Sequence, residues 1–299
     1  MVKSSYYGPL VATYLFVGGL AGAAQVIAGV ADVSGQEDAR PVVRAGRYLA
    51  AAGALSGTVL LIADLHTPRR WYNMLRIFRR TSSMSVGAWT LTTFGTCSGL
   101  AAAVQALHDL RGTPGSRRAA RVFALPAAVA GELMTTYTGA LLATTSTPLW
   151  AAGDRLLPAL FGASALSTAT AALLLVGHLG GAPARAARLE RLALLTGAVE
   201  LLLARAPDRR WRQEAVAGPV RQPLSAFAYR AGFQGLGVLT PLTVHGISLL
   251  TRRRSRRWSI AAAVATLAGG YLLRSAFVFA GNASARQPKD YLRFTQPNR

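Results

Sequence analysis

Residues 9–31 read PLVATYLFVGGLAGAAQVIAGVA, an apolar stretch without a single charged side chain. At a rise of about 1.5 Å per residue, some 20 apolar residues form a helix that crosses the hydrocarbon core of a bilayer. The stretch is too long for the apolar region of a cleaved signal peptide, and Lys3 is the only charged residue before it. We therefore expect a retained membrane-spanning helix.

Seven further stretches of the 299-residue chain are similar in length and composition. With the first, they lie at residues 9–31, 47–66, 86–108, 122–145, 157–178, 189–204, 227–250 and 258–281. Ala and Gly are frequent in them, and small residues allow helices to pack closely in lipid. The sequence predicts an all-α integral membrane protein with eight transmembrane helices, which places both termini on the same face.

The charge of the chain is concentrated between these stretches. Lys and Arg number 33 against 12 Asp and Glu, a formal net charge of +21, yet 52% of the residues are hydrophobic. Soluble basic domains and disordered basic tails are less apolar, so we expect no nucleic-acid partner. Basic loops beside membrane spans contact lipid headgroups and usually face the cytoplasm. Here they divide almost evenly between the two faces, so they leave the orientation open.

Few residues in the chain are potential metal ligands. Cys97 is the only cysteine, and one thiolate cannot hold an iron–sulfur cluster. His108, His178 and His245 lie near the ends of predicted spans, where a haem-ligating pair and simple helix-end capping are both consistent with the pattern. We expect no haem, iron–sulfur cluster or other metal site in this chain.

Ionisable residues within spans are costly and mark functional sites. Glu132, Glu200 and Arg274 lie in the fourth, sixth and eighth predicted spans, where they are candidates for a proton path. The alternative is a buried ion pair that fixes helix positions.

Most of the remaining polar residues at membrane depth fall in the half nearer the termini. They are Tyr14, Asp64, His66 and Tyr137. The same face carries the long segment 67–85, which combines arginines with Trp71, Tyr72 and Phe78. Such a segment is either a docking surface for a soluble partner or a set of interfacial anchors.

Six strings together resemble one known family. They are YLFVGGLAGA at 14–23, ADLHTPRRWYNMLR at 63–76, SMSVGAW at 83–89, YTGALL at 137–142, LPALFGASA at 157–165 and GGYLLR at 269–274. In this order and spacing they resemble the NrfD / polysulfide reductase membrane subunit family over nearly the whole chain.

The resemblance implies a single NrfD-like membrane domain built from two four-helix bundles without haem. Residues 1–146 would form the first bundle with the quinone site, and residues 147–299 the second bundle with a C-terminal tail. Such a subunit anchors a four-cluster ferredoxin-like iron–sulfur subunit, which connects it to a molybdopterin-type catalytic subunit, in the inner membrane of a prokaryotic cell. It exchanges electrons with menaquinone or ubiquinone and is not catalytic alone, and its complexes can form dimers.

The resemblance also implies roles for residues at the termini-side end. Tyr137 would donate a hydrogen bond to a quinone carbonyl, with Asp64 or His66 as the proton carrier, because quinone reduction consumes two protons. Tyr14 and Trp89 would wall the quinone ring. The residues expected to orient the partner protein are Arg69, Arg70, Asn73 and Arg76.

Three other functions remain open at this point. Staggered membrane carboxylates also suit a redox-linked proton-translocating module. A purely structural anchor without a quinone site would need none of these polar residues, and a solute transporter would require matching interrupted helices in the two halves. The sequence decides neither the substrate of the catalytic partner nor the direction of electron flow.

Overall fold

The computed structural model describes residues 7–112, 115–145, 147–153, 155–179, 183–213, 218, 220 and 222–286. Throughout these ranges the regular structure is helical, and no strand occurs in them. The predicted all-α class is therefore confirmed. Residues 282–285, predicted as the start of the C-terminal tail, belong to the last helix, and the tail beyond residue 286 lies outside the described residues.

Eight long helices account for most of the described chain. Short helices at Pro68–Leu75 and Pro148–Ala151 lie in two of the connections. The long helices are α1 Pro9–Val33, α2 Arg40–Ala63, α3 Ser83–Arg111, α4 Ser116–Ala143, α5 Leu156–Leu179, α6 Pro183–Gln213, α7 Pro223–Thr251 and α8 Arg256–Ala285.

Five of these helices are long and apolar enough to cross a membrane, namely α1, α2, α5, α7 and α8. Helices α1, α5 and α8 are mostly buried, whereas only about a third of α2 and of α7 is buried. An apolar helix with an exposed face is suited to contact with lipid. Helix α6 is longer than the predicted span at 189–204, since it begins at Pro183 and runs to Gln213.

Helices α1 to α4 pack against one another in a closed ring, because α1 and α3 each contact both α2 and α4. Small residues allow the close approach. A Cβ at Gly22 of α1 would lie 2.4 Å from the carbonyl oxygen of Gly131 in α4, and one at Gly53 of α2 would lie 2.5 Å from the Ala21 side chain. These backbones meet where only glycine fits, as is common between helices in lipid.

Helices α5 to α8 form a second ring of contacts, in which α5 and α7 each touch α6 and α8. Residues Phe227–Leu239 of α7 have π-helical hydrogen bonding. Pro241 follows this stretch and lacks the N–H that would bond the carbonyl of Gly237 in an α-helix, which favours the wider winding.

The two rings join through α1, which contacts α5 and α8, and through α4, which contacts α5. The connection between the rings inserts Trp150, whose indole is fully buried and donates to the carbonyl of Phe277 at 2.8 Å. At the same end the side chain of Asn282 bonds the backbone of Tyr7, donating to its carbonyl at 2.7 Å. The first and last described segments therefore meet at one end of the molecule.

Candidate functional site

Tyr137 of α4 reaches across to the first turn of α3. Its hydroxyl donates a hydrogen bond to the backbone carbonyl of Ser83 at 2.9 Å, and its side chain is partly buried. The phenol lies directly on Gly87, where a Cβ would be 1.8 Å from the Tyr137 hydroxyl oxygen. Gly87 is thus the residue that makes room for this ring.

Tyr14 of α1 lies beside Tyr137. It is 4% exposed, and its ring edge packs against Gly18 and Gly57, where added Cβ atoms would lie 3.8 Å and 3.7 Å away. The phenols of Tyr14 and Tyr7 are close enough to Tyr137 to interact with it electrostatically. The structure therefore brings the two predicted tyrosines together and adds a third.

Tyr7 precedes α1 and stacks on Trp150 with ring centroids 5.5 Å apart. Burial raises the pKa of its phenol, and the negative charge of Asp64 raises it further, so the hydroxyl keeps its proton at neutral pH. Asp64 is exposed at the end of α2, and its carboxylate lies against Gly8, 3.9 Å from where a Cβ would be. Asp64 thus borders the tyrosine cluster from the solvent side.

Two other predicted site residues lie at the same end but away from the phenols. His66 is exposed in the turn after α2. Trp89 is 38% exposed, and its ring packs edge-on against Phe78 of the segment before α3, with centroids 6.3 Å apart. Because Gly87 and Trp89 are two positions apart on a helix, they lie on nearly opposite sides of α3.

The predicted docking residues lie in and beside the short helix Pro68–Leu75, which begins soon after α2. Their side chains are all exposed: Arg69, Arg70, Asn73 and Arg76. Three aromatic side chains of this segment are also exposed, Trp71 at 44%, Tyr72 at 58% and Phe78 at 53%. Exposed arginines interleaved with aromatic rings are typical of protein interfaces.

A second polar centre lies in the core of the second ring, on α5, α6 and α8. Arg274 is fully buried and donates to the Ser164 hydroxyl at 2.6 Å and to the Phe161 carbonyl at 3.1 Å. Glu200 is 2% exposed, its carboxyl interacts with the same Ser164 hydroxyl, and the charges of Arg274 and Glu200 attract each other. Ser164 therefore lies between a buried carboxyl and a buried guanidinium.

Glu132, the third residue of the predicted proton path, is placed differently. Its side chain is exposed on the outer face of α4, next to Leu133, which is 55% exposed, and one turn from Val129, which is 68% exposed. The structure thus brings together Glu200 and Arg274 and leaves Glu132 on an apolar surface.

Of the three histidines considered as haem ligands, His108 lies in α3, whereas His178 and His245 lie in the second ring, close enough to each other and to Glu190 to interact electrostatically. The Nε2 of His178 lies 2.9 Å from the Ser259 hydroxyl, and His245 is 2% exposed. Within the residues that the structure describes, no group of three or more His, Cys, Asp or Glu side chains is arranged to hold a metal ion.

Sequence reasoning missed four parts of this arrangement. Tyr7, the Ser83 carbonyl, Trp150 and Asn282 complete the termini-side end, yet they carried no distinguishing pattern. Gly87 was within the string at 83–89, and a glycine there was the one available signal of a close contact.

The comparison with known families agrees with the resemblance seen in the sequence. The model described as "Polysulphide reductase, NrfD" matches residues 1–285, and no curated protein sequence matches the chain. The match extends over both helical rings. The chain therefore belongs to the polysulphide reductase NrfD family, whose members are membrane subunits of quinone-interacting oxidoreductase complexes.

Proposed function

We propose that this chain is the subunit that exchanges electrons between an iron–sulfur partner and membrane quinone, with the quinone headgroup bound at Tyr137. The proposal rests on the cluster of Tyr137, Tyr14 and Tyr7, with Asp64 beside it. This cluster lies next to the exposed segment 68–78. A redox partner seated on that segment would lie next to the cluster. The short path is needed because the one cysteine cannot hold an iron–sulfur cluster and the described residues form no metal-binding group, so the electrons would come from the partner.

The residues at this end fit a quinone headgroup. A quinone carbonyl accepts hydrogen bonds, and a phenol that retains its proton is a suitable donor in a low-dielectric site. The Tyr137 hydroxyl has one proton, which it now gives to the Ser83 carbonyl at 2.9 Å. Donation to a quinone therefore requires Tyr137 to exchange one carbonyl acceptor for another, at a cost of about 0.5–1.5 kcal/mol that the new bond restores.

Protons for the reaction would enter through the exposed edge of the cluster. Asp64 is exposed and carries a charge that acts on Tyr7, so it joins solvent to the phenols. Asp64 is the better proton carrier of the two predicted, because its carboxylate lies beside Gly8, which follows Tyr7, and its charge acts on the Tyr7 phenol, while His66 lies two positions further into the turn. Tyr14 would wall the ring from α1.

The wider setting follows from the family and the helices. We infer eight membrane spans, one for each long helix, in two four-helix bundles that correspond to the two rings of contacts. The catalytic partner would be of the molybdopterin type, connected through a four-cluster ferredoxin-like subunit, in the inner membrane of a prokaryotic cell. The quinone is menaquinone or ubiquinone.

The test is the quinone-linked turnover of the complex purified with its partners. Tyr137→Phe removes the hydroxyl and keeps the ring, so the complex should assemble and reduce or oxidise artificial dyes normally, while quinone-linked turnover falls at least about tenfold. Full quinone-linked turnover after this substitution would contradict quinone binding at Tyr137 and would favour the structural anchor instead.

A second candidate function is redox-linked proton translocation, favoured by the buried carboxyl of Glu200 and its connection through Ser164 to the buried Arg274. A translocation step needs a carboxyl at membrane depth that takes up and releases a proton, and Glu200, connected through Ser164 to Arg274, is the candidate for that role. Vesicles containing the complex distinguish the two functions. Translocation predicts acidification beyond the protons of quinone chemistry, and that excess should be lost in Glu200→Gln.

A further inference from the structure

A cavity of about 510 Å³ lies at the opposite end of the first ring from Tyr137, where α1 and α3 end and α2 and α4 begin. Among the residues that the structure describes, five arginines and two aspartates line it: Arg40, Arg44, Arg47, Arg118, Arg121, Asp32 and Asp109. In a membrane subunit these helix ends lie at the level of the lipid headgroups.

Positive charge remains in excess after the ion pairs are counted. Asp32 is shared by two arginines, with Arg47 at 3.0 Å and Arg121 at 2.9 Å. Asp109 pairs with Arg44 at 2.8 Å, and Arg40 pairs with Glu37 outside the cavity lining. Two aspartates thus serve three arginines of the lining, and Arg118 adds a further charge.

Arg47 gives the cavity wall a buried positive charge that is fixed in place. Its side chain is 3% exposed, and its guanidinium bonds Asp32 and also Gln105, at 2.6 Å. Its Nε is buried and has no hydrogen-bond partner among the described residues. The bonds to Asp32 and Gln105 hold the Arg47 side chain in place at the cavity wall, where its positive charge attracts an anion bound in the cavity.

Two apolar cavities adjoin this basic one. The first, about 450 Å³, shares Ala31 and Gln36 with it and runs between α1, α2, α5 and α6. The second, about 270 Å³, shares Pro41 and Arg44 with it. Their apolar lining consists mainly of Val26, Ile27, Val30, Val42, Ala45, Leu166, Leu173, Val176, Leu189 and Leu192. A positively charged cavity therefore opens onto two apolar grooves.

We propose that this region binds one anionic phospholipid, with its phosphate on the arginines and its acyl chains in the two grooves. Charge complementarity favours a phosphate over a neutral headgroup, and the grooves favour a lipid over free phosphate, which would leave them unfilled. A quinone would fill a groove but leave the arginines without an anion. The assignment uses the bilayer position of the helix ends and is independent of the quinone site.

Native mass spectrometry of the protein purified from membranes tests the proposal. The probes are phosphatidylglycerol, phosphatidylcholine, inorganic phosphate and a short-chain ubiquinone. The variant Arg44→Gln/Arg118→Gln removes two exposed charges of the cavity and leaves the buried Arg47 in place. Its matched control, Arg253→Gln/Arg257→Gln, removes two exposed arginines outside the cavity lining, one between α7 and α8 and one in the first turn of α8.

The unaltered protein and the control should retain one phosphatidylglycerol, which excess phosphatidylcholine, phosphate or ubiquinone does not displace. The cavity variant should bind it at least about tenfold more weakly, since each arginine near a headgroup contributes on the order of one kcal/mol. Equal retention by the cavity variant and the control would overturn the proposal. Displacement by phosphate alone, by phosphatidylcholine or by ubiquinone would also overturn it. Quinone-linked turnover, measured in parallel, reports on the Tyr137 site separately.

Discussion

Substituting Gly87 by alanine tests the Tyr137 site without touching any reactive group. The added Cβ would lie 1.8 Å from the Tyr137 hydroxyl oxygen and 2.0 Å from the adjoining ring carbon. Carbon atoms in contact are about 3.5–4.0 Å apart, so the phenol must retreat by roughly 1.5 Å or more. That movement breaks the hydrogen bond to the Ser83 carbonyl and takes the hydroxyl out of its present position.

The expected magnitude follows from that displacement. Overpacking of this kind costs about 1–3 kcal/mol of stability, which is offset in part by the roughly 0.5–1 kcal/mol that alanine gains over glycine inside a helix. A donor misplaced by about 1 Å can lower turnover on the order of 100-fold. We therefore expect an assembled complex with a large, selective loss of quinone-linked turnover.

The assay compares quinone-linked with dye-linked turnover in the purified complex. Gly99→Ala is the matched control, because Gly99 lies in the same helix and a Cβ there would meet nothing within 4 Å. The control should keep both activities. If Gly87→Ala also kept its quinone-linked turnover, the position of the Tyr137 hydroxyl would be irrelevant to the reaction, and Tyr137 could not be the quinone donor.

Three further predictions address the partner surface, the buried pair and the junction of the rings. Arg69→Ala/Arg70→Ala should leave the chain folded but lower the yield of co-purified iron–sulfur partner, and an unchanged subunit ratio on gels would contradict the docking role. Arg274→Met leaves Glu200 buried without its partner and should destabilise the chain by about 3–5 kcal/mol, seen as a lower thermal midpoint, whereas Arg274→Met combined with Glu200→Met should recover much of that loss. Gly281→Ala should lower the midpoint as well, because a Cβ there would lie 1.9 Å from a buried indole; a midpoint equal to that of the unaltered chain would speak against that packing.

Hydrophobic stretches predict the helices of this protein well, because a helix that crosses lipid needs about 20 apolar residues wherever it lies in the fold. Each predicted span overlaps one of the eight long helices. Side-chain partners are harder to predict, since they depend on how helices rotate and cross. The string at 83–89 did not reveal that Gly87 receives the Tyr137 ring, and depth alone could not tell that Glu132 faces outward while Glu200 faces Arg274.

The basic loops show the same limit. Arginines near span ends are most simply interpreted as topology signals, and the sequence gives no reason to separate Arg47 from the others. In the structure Arg47 is 2% exposed and lines a cavity, because α2 turns it inward against Asp32 of α1 and Gln105 of α3. Long-range contacts of this kind require the packed helices.

Binding of the quinone headgroup at Tyr137 is tested most directly by a cryo-electron microscopy map of the complex with a bound short-chain quinone. We expect headgroup density within hydrogen-bonding distance of the Tyr137 hydroxyl and bordered by Tyr14. The 2.9 Å contact from the Tyr137 hydroxyl to the Ser83 carbonyl should be lengthened or lost. Headgroup density at the arginine-lined cavity instead, with that contact intact, would contradict quinone binding at Tyr137.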